Sequence, residues 1–153
     1  MNQVYISGTN KYRWVNKYLG EIVSGTRIGI TDTRIYRFAE AILFKAEAMN
    51  GLGNIPGAII ELNKIAKRAY GVNNFYPNTL TQTQVNEAIL TERLIEFGAE
   101  GKSWFDIVRF GKAFQLIPTL VGKENAYKGN ILFVPVSPST ITHNPKIVQT
   151  LGY

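Results

Sequence analysis

The chain reads as mainly α, built from antiparallel helix pairs set between an irregular N-terminal segment and an irregular C-terminal tail. Three observations predict this class. Ile35, Phe38, Ala39, Ile42, Leu43, Ala46 and Met49 recur at offsets 0, 3, 4, 7, 8, 11 and 14, which is the apolar stripe of an amphipathic helix. A second helical pattern, Ala58, Leu62, Ile65, Ala66 and Ala69, follows almost at once. So short a link forces the two helices to run antiparallel as an αα-hairpin. Thr81 with Gln84, and Ser103 with Asp106, then have the spacing of capping boxes and mark two further helix starts.

Taken in order, residues 1–33 carry Tyr5, Tyr12, Trp14 and Tyr18 among Gly, Ser and Thr. Short apolar alternations leave room there for a strand or two in otherwise irregular chain. Residues 34–114 are expected to form the helical core. Its first helix should span about 34–50, with Asp32 as N-cap and the permissive Gly51 and Gly53 past its end. The second, about 55–70, has Asn54 as cap, Pro56 in its first turn and Gly71 as its stop. The third should run over about 82–99. The fourth, about 103–114, should turn Trp104, Ile107, Val108 and Phe114 inward. Small Ala46 and Ala58, twelve apart, let the first pair approach closely, with Met49 and Leu62 as larger packing residues. This resembles one tetratricopeptide-type repeat and predicts a tetratricopeptide-like α-α superhelix, although no second copy shows at that period. Residues 115–153, punctuated by Pro118, Pro135, Pro138 and Pro145, are expected to be an irregular tail lying over the helices.

Composition excludes several functions. A chain of 153 residues is by size one domain, or at most one domain with a trailing extension, and can bury a core without staples. It has no cysteine, which removes thiol catalysis, Fe–S clusters, cysteine zinc sites and covalent haem. His143 is the only histidine and sits in the turn sequence Thr142-His143-Asn144-Pro145, so neither a histidine metal cluster nor a Ser–His–Asp triad can be assembled. No Gly-x-Gly-x-x-Gly, P-loop or His-Glu-x-x-His occurs. No cofactor and no metal are expected. Charged residues interrupt every long apolar run, so no membrane span is expected, and Met1 to Tyr5 do not read as a signal peptide. The net charge of +6 is scattered; only Lys64, Lys67 and Arg68 could share a helical face. Nucleic acid is not an expected partner.

Two groups of residues could carry chemistry. Glu92, Glu96 and Glu100 recur at four-residue spacing, with Arg93 beside them and Asp106 and Arg109 further on. Stacked carboxylates repel, so something must compensate them. The functional option is a glycosidase using Glu92 or Glu96 with Asp106, carboxylates roughly 5–9 Å apart. The favoured option is an ion-pair network with Arg93, Arg109 or Arg37, because Ile89, Phe97 and Trp104 look like helix-packing core. Tyr12 and Trp14 are the ligand-binding candidates: exposed rings bind sugars by stacking, with Asn10 and Asn16 to set orientation. Alternatively, these rings pin the N-terminal segment onto the helices.

Arg37-Phe38-Ala39-Glu40 through Ala46-Glu47-Ala48, Ala58 to Asn63, Arg68-Ala69, Glu92-Arg93, Glu96, Glu100-Gly101, Trp104-Phe105-Asp106-Ile107 and Arg109 together resemble the C-terminal part of the SusD/RagB family. Phe133-Val134-Pro135-Val136 resembles that family's Pro-Ile-Pro element, and Asn144-Pro145 with Gln149 to Tyr153 its terminal Gln-Asn-x-Gly-Tyr. The match covers about Thr31 to Tyr153. The resemblance implies a nutrient-binding lipoprotein on the outer surface of a Gram-negative outer membrane, paired with a TonB-dependent transporter barrel to which it hands oligosaccharides or other polymer fragments. It implies tetratricopeptide-like helix pairs and no catalysis. Arg37, Glu40, Glu92, Arg93, Glu96, Glu100, Trp104, Asp106 and Arg109 then become a structural signature. Ser103 departs from the family, which usually has a basic residue before this tryptophan. Full-length members are several times longer and begin with a lipoprotein signal and an acylated cysteine. The resemblance therefore implies that residues 1–33 continue from an upstream region carrying the lipid anchor, the only membrane contact expected. The residues alone leave open a second reading, an intracellular helical-repeat adaptor that binds a partner peptide.

Overall fold

Positive φ angles at Ser24 (51°) and Gly25 (78°) turn the chain back between β1 (Glu21–Val23) and β2 (Thr26–Ile28). Two successive left-handed residues match the right-handed twist of the flanking strands, so the pair closes as an antiparallel hairpin with Ile22 opposite Arg27. These are the strands for which the apolar alternations of residues 1–33 left room. The computed structural model describes residues 20–28, 35–122 and 134–149. Among these, the chain is mainly helical and falls into two compact units, residues 1–103 and 104–153.

Helix α1 (Phe38–Gly51) begins four residues later than the apolar stripe suggests. Its N-cap, Arg37, is extended (φ −131°, ψ 156°) and makes no side-chain capping bond; Asp32, the expected cap, lies outside the described residues. The start is displaced because Arg37 reaches away to the end of the third helix and Lys102 takes the Ile35 carbonyl. Ile35 and Phe38, expected in the stripe, are consequently 71% and 81% exposed. Leu43 and Ala46 remain in the core, joined by buried Glu40 and Asn50. The helix closes when Gly53 (φ 79°) donates to the Asn50 carbonyl and Asn54 to that of Met49, the paired closure that a left-handed glycine permits.

Helix α2 (Ile55–Tyr70) starts where Asn54 Oδ1 accepts the Gly57 N–H at 3.0 Å, a cap that stabilises by about 1 kcal/mol. Ala58, Ile59, Leu62, Ile65 and Ala66 are buried, whereas Ala69, expected on that face, is exposed. Each buried Leu or Ile contributes about 1.5–3 kcal/mol. Ala46 and Ala58 are both fully buried, so the α1–α2 hairpin packs at small residues. The loop to the third helix is held by Asn63: its Nδ2 donates to the Tyr76 carbonyl and its Oδ1 accepts the Tyr76 N–H, each at 2.9 Å.

Helix α3 (Gln82–Glu96) opens with a reciprocal capping box between Thr81 and Gln84. It ends three residues before the expected 99, because Ala99 is left-handed (φ 64°) and Glu100 N–H turns back to the Phe97 carbonyl. Arg37 meets Glu96 and Asn50 meets Gln82, so α3 runs antiparallel to α1. Val85, Ile89 and Phe97 complete the core with Leu43, Ile59, Leu62 and Ile65.

The expected helix over 103–114 is two pieces, α4 (Ser103–Arg109) and α5 (Ala113–Leu116). Gly111 (φ 68°) donates to the Val108 carbonyl and Lys112 to that of Ile107, the same closure that ends α1. Asp106 is the buried residue of α4, while Trp104, expected to face inward, is 37% exposed. The expected irregular tail contains a further helix, α6 (Pro138–His143). Gln149 clasps Val136, accepting its N–H at 2.8 Å and donating to its carbonyl at 2.9 Å. No helix among the described residues is long and apolar enough to cross a membrane.

Candidate functional site

Where the start of α1 meets the end of α3, Arg37, Glu40, Arg93, Glu96, Glu100 and Lys102 form an alternating lattice of charge. The Arg37 guanidinium spans both carboxylates, with Nε and Nη2 on Glu100 at 3.1 and 2.9 Å and Nη1 on Glu96 at 2.8 Å. Its Nη2 also reaches the Glu96 carbonyl at 2.9 Å, satisfying an acceptor that the helix end leaves open. Glu96 takes a second cation from Arg68. Burial pulls the Arg37 pKa down, but the hydrogen bonds and charges of Glu100 and Glu96 outweigh it, and the net shift is upward. Glu100 therefore meets Arg37 from the turn after α3, not from the helix face on which the four-residue spacing would place it.

Beside this, Arg93 meets Glu40 at 3.1 Å, both at most 4% exposed. Lys102 closes on the other Glu40 oxygen and on the Ile35 carbonyl. Lys102 stands immediately before Ser103, so a cation is still delivered there, one residue earlier than the tryptophan spacing anticipates. At the centre lies the Phe97 ring, fully buried, with Arg37, Arg93 and Lys102 at 5.1, 5.2 and 5.6 Å from its centroid. Asp106 and Arg109 pair with each other at 3.1 Å on α4.

Glu92, 1% exposed, meets two tyrosines and no arginine among the described residues. Its Oε1 accepts the hydroxyls of Tyr70 at 3.0 Å and Tyr76 at 2.6 Å. Glu92 is thus engaged by two phenols and Glu96 by two guanidinium groups. Burial, then the hydrogen bond to Glu92 and its charge, push the Tyr70 phenol from 10.0 up to about 12 and Tyr76 up further. A folded pKa above the unfolded one makes a contribution to stability that is fully present below pH 10.0 and is lost as pH rises through about 12. Tyrosinate absorbance in an alkaline titration should show both phenols resisting ionisation until the chain unfolds. Glu92→Gln should return them toward the ordinary range, and unchanged titration in that variant would refute the assignment.

At the opposite end of the α1–α3 pair, about 15 Å from Glu40 by helix rise, a cleft of about 580 Å³ opens. Phe44, Glu47, Asn50, Gln82, Thr83 and Asn86 line it. Asn50 Nδ2 donates to the Gln82 carbonyl at 3.0 Å, and Gln82 Nε2 to that of Asn50 at 2.6 Å. Asn50 Oδ1 is buried, with no hydrogen-bond partner among the described residues. The sequence reading did not single out these residues, nor Lys102, Tyr70, Tyr76 or the Lys45–Glu61–Lys64 cluster. In that cluster burial would raise the Glu61 pKa, but its two lysine partners outweigh this and lower it. Tyr12 and Trp14 lie outside the described residues. No group of three or more His, Asp or Glu suited to a metal occurs among the described residues.

The sequence profile of the SusD family matches residues 2–153. SusD-like protein P38 of Formosa agariphila is 33% identical over 132 residues, which cover 81% of this chain and 25% of that protein. The starch-binding protein SusD of Bacteroides thetaiotaomicron is 28% identical over 155 residues, 97% of this chain and 27% of that protein. A SusD superfamily protein from Bacteroides fragilis superposes with a TM-score of 0.74 at 25% identity, over 98% of this chain and 35% of its own. The chain spans about a quarter of the length of the curated relatives it matches.

Proposed function

The chain belongs to the SusD family, and from that premise we propose that it is the C-terminal helical segment of a cell-surface nutrient-binding protein. In this reading the whole protein captures oligosaccharides or other polymer fragments at the outer membrane, held there by a lipid anchor upstream of residue 1. It then passes them to a TonB-dependent transporter barrel. The segment acts by noncovalent recognition and scaffolding, without catalysis. The observation that carries this is the family match over residues 2–153, supported by similarity to a relative named as a starch-binding protein.

The charge lattice supports the scaffolding part: its carboxylates and cations are engaged with one another and hold the helices in place. Tyr12 and Trp14 are proposed as stacking platforms, where a ring adds affinity and polar neighbours set orientation. Calorimetric titration of the chain with maltoheptaose, xylohexaose and related oligosaccharides should give saturable binding with at least one of them. Trp14→Ala should then weaken binding about tenfold, the equivalent of 1.4 kcal/mol. Absence of binding across the panel would remove glycan recognition from this segment.

A further inference from the structure

We infer that Asn50 is a spontaneous modification site, an asparagine whose deamidation is gated by the last turn of α1 and whose product holds that turn open. Asn50-Gly51 is the one Asn-Gly dipeptide in the sequence. An asparagine side chain is deamidated when the backbone nitrogen of the next residue attacks its Cγ, and a next residue without a Cβ obstructs that approach least. A bond forms between Gly51 N and Asn50 Cγ, the Cγ–Nδ2 bond breaks, and Nδ2 leaves as ammonia with the proton that Gly51 N gives up. Water then opens the cyclic imide at either carbonyl and leaves aspartate or isoaspartate. Nothing in the packing requires glycine at position 51, where an added Cβ would meet no atom within 4 Å.

The folded chain withholds both partners of this reaction. Asn50 is 3% exposed, and Gly51 belongs to α1, whose geometry turns its N–H back toward the preceding turn and away from Cγ. Three bonds fix Asn50: its Nδ2 donates to the Gln82 carbonyl at 3.0 Å, and its own carbonyl accepts Gln82 Nε2 at 2.6 Å and the Gly53 N–H at 3.0 Å. Closing the five-membered imide ring rotates both the side chain and that carbonyl, so these bonds must break first. They lie within the last turn of α1 and the first residue of α3, so a local opening is enough. The product makes the opening permanent. Its carboxylate sets an oxygen where Nδ2 faced the Gln82 carbonyl, and Asn50 Oδ1 already has no hydrogen-bond donor among the described residues. A buried carboxylate with neither oxygen satisfied is costly, and Glu47, one turn earlier, adds like charge at i, i+3.

Peptide mapping by mass spectrometry of the whole chain, held in mildly alkaline buffer, follows the gain of about 1 Da at Asn50 as NH2 gives way to OH. In urea, Asn50 should react faster than every other asparagine, and Gly51→Ala should suppress that reaction. In the folded chain the rate should fall at least tenfold, the effect of an opening free energy above about 1.4 kcal/mol. Gln82→Ala, which removes one of the three bonds, should raise the folded-state rate about fivefold, the weight of one hydrogen bond in the opening equilibrium. Phe97→Leu, at the far end of α3, should leave it unchanged. Asn50→Asp should lose hydrogen-exchange protection at Gly51 to Asn54 while Ile89 and Leu90 keep theirs. Another asparagine reacting faster in urea overturns the site. An unchanged rate in Gln82→Ala, or equal acceleration by Phe97→Leu, overturns the gate, and full protection in Asn50→Asp overturns the permanence of the opening.

Discussion

Replacing Phe97 with alanine is expected to cost about 3–5 kcal/mol of folding stability, which lowers Tm by roughly 6–20 °C for a chain of this size. The ring is fully buried at the end of α3, so truncation removes its apolar burial and leaves a cavity. It also removes the surface against which Arg37, Arg93 and Lys102 are packed. Each such contact is worth about 0.5–1 kcal/mol at exposed sites and about 2 kcal/mol when desolvated. Phe97→Leu, which keeps most of the volume but loses the π face, separates the two contributions. Denaturant unfolding reads both; if the alanine and leucine variants lose equally, the cation contacts are dominant, and a loss below 1 kcal/mol for alanine would show that the ring is not a structural centre.

Glu40→Ala should be comparably damaging, about 3–5 kcal/mol. The reason is what remains behind: Arg93, 2% exposed, and Lys102, with a side chain 15% exposed, would face each other without the carboxylate that now joins them. A buried pair need not be strongly favourable as a pair, yet breaking one half leaves a charge that water cannot reach. The double variant Glu40→Leu, Arg93→Met should therefore recover much of the loss. A double variant no more stable than Glu40→Ala alone would contradict this account. Because Arg93 touches both Glu40 and Phe97, combined losses at these positions should fall short of or exceed their sum.

The parts of the fold that could be read in advance were those where local chemistry decides. Asn54, Pro56 and Gly71 punctuate α2, and Thr81 with Gln84 opens α3, because a cap forms or fails within one turn. The start of α1 could not be read this way. The apolar period counts Ile35 and Phe38 as core, but what stops the helix short is Arg37 pairing with Glu96, 59 residues away. The burial of Asn50 and Glu61 was invisible for the same reason, since a polar residue on a helix shows its partner only when the partner helix arrives. The break at Gly111 was open to notice, a glycine followed by lysine inside an assumed helix. For the candidate site, the pairing of Arg37 with Glu96 and Glu100 was within reach of charge reasoning. The tyrosine partners of Glu92 were not, because the Asn63-held loop has to deliver Tyr76.

Asn63 and Gln149 have one further property in common. Each presents a donor and an acceptor to a single residue, standing in for a neighbouring strand, and each thereby orders a stretch outside the main helices. Hydrolysis of either side-chain amide exchanges its NH2 for oxygen, so a bond to a carbonyl becomes a repulsion between two acceptors. Hydrolysis at these two amides would thus release the loop before α3 and the residues around Val136. The lattice of carboxylates and cations around Phe97 contains no amide side chain to hydrolyse, and would outlast them.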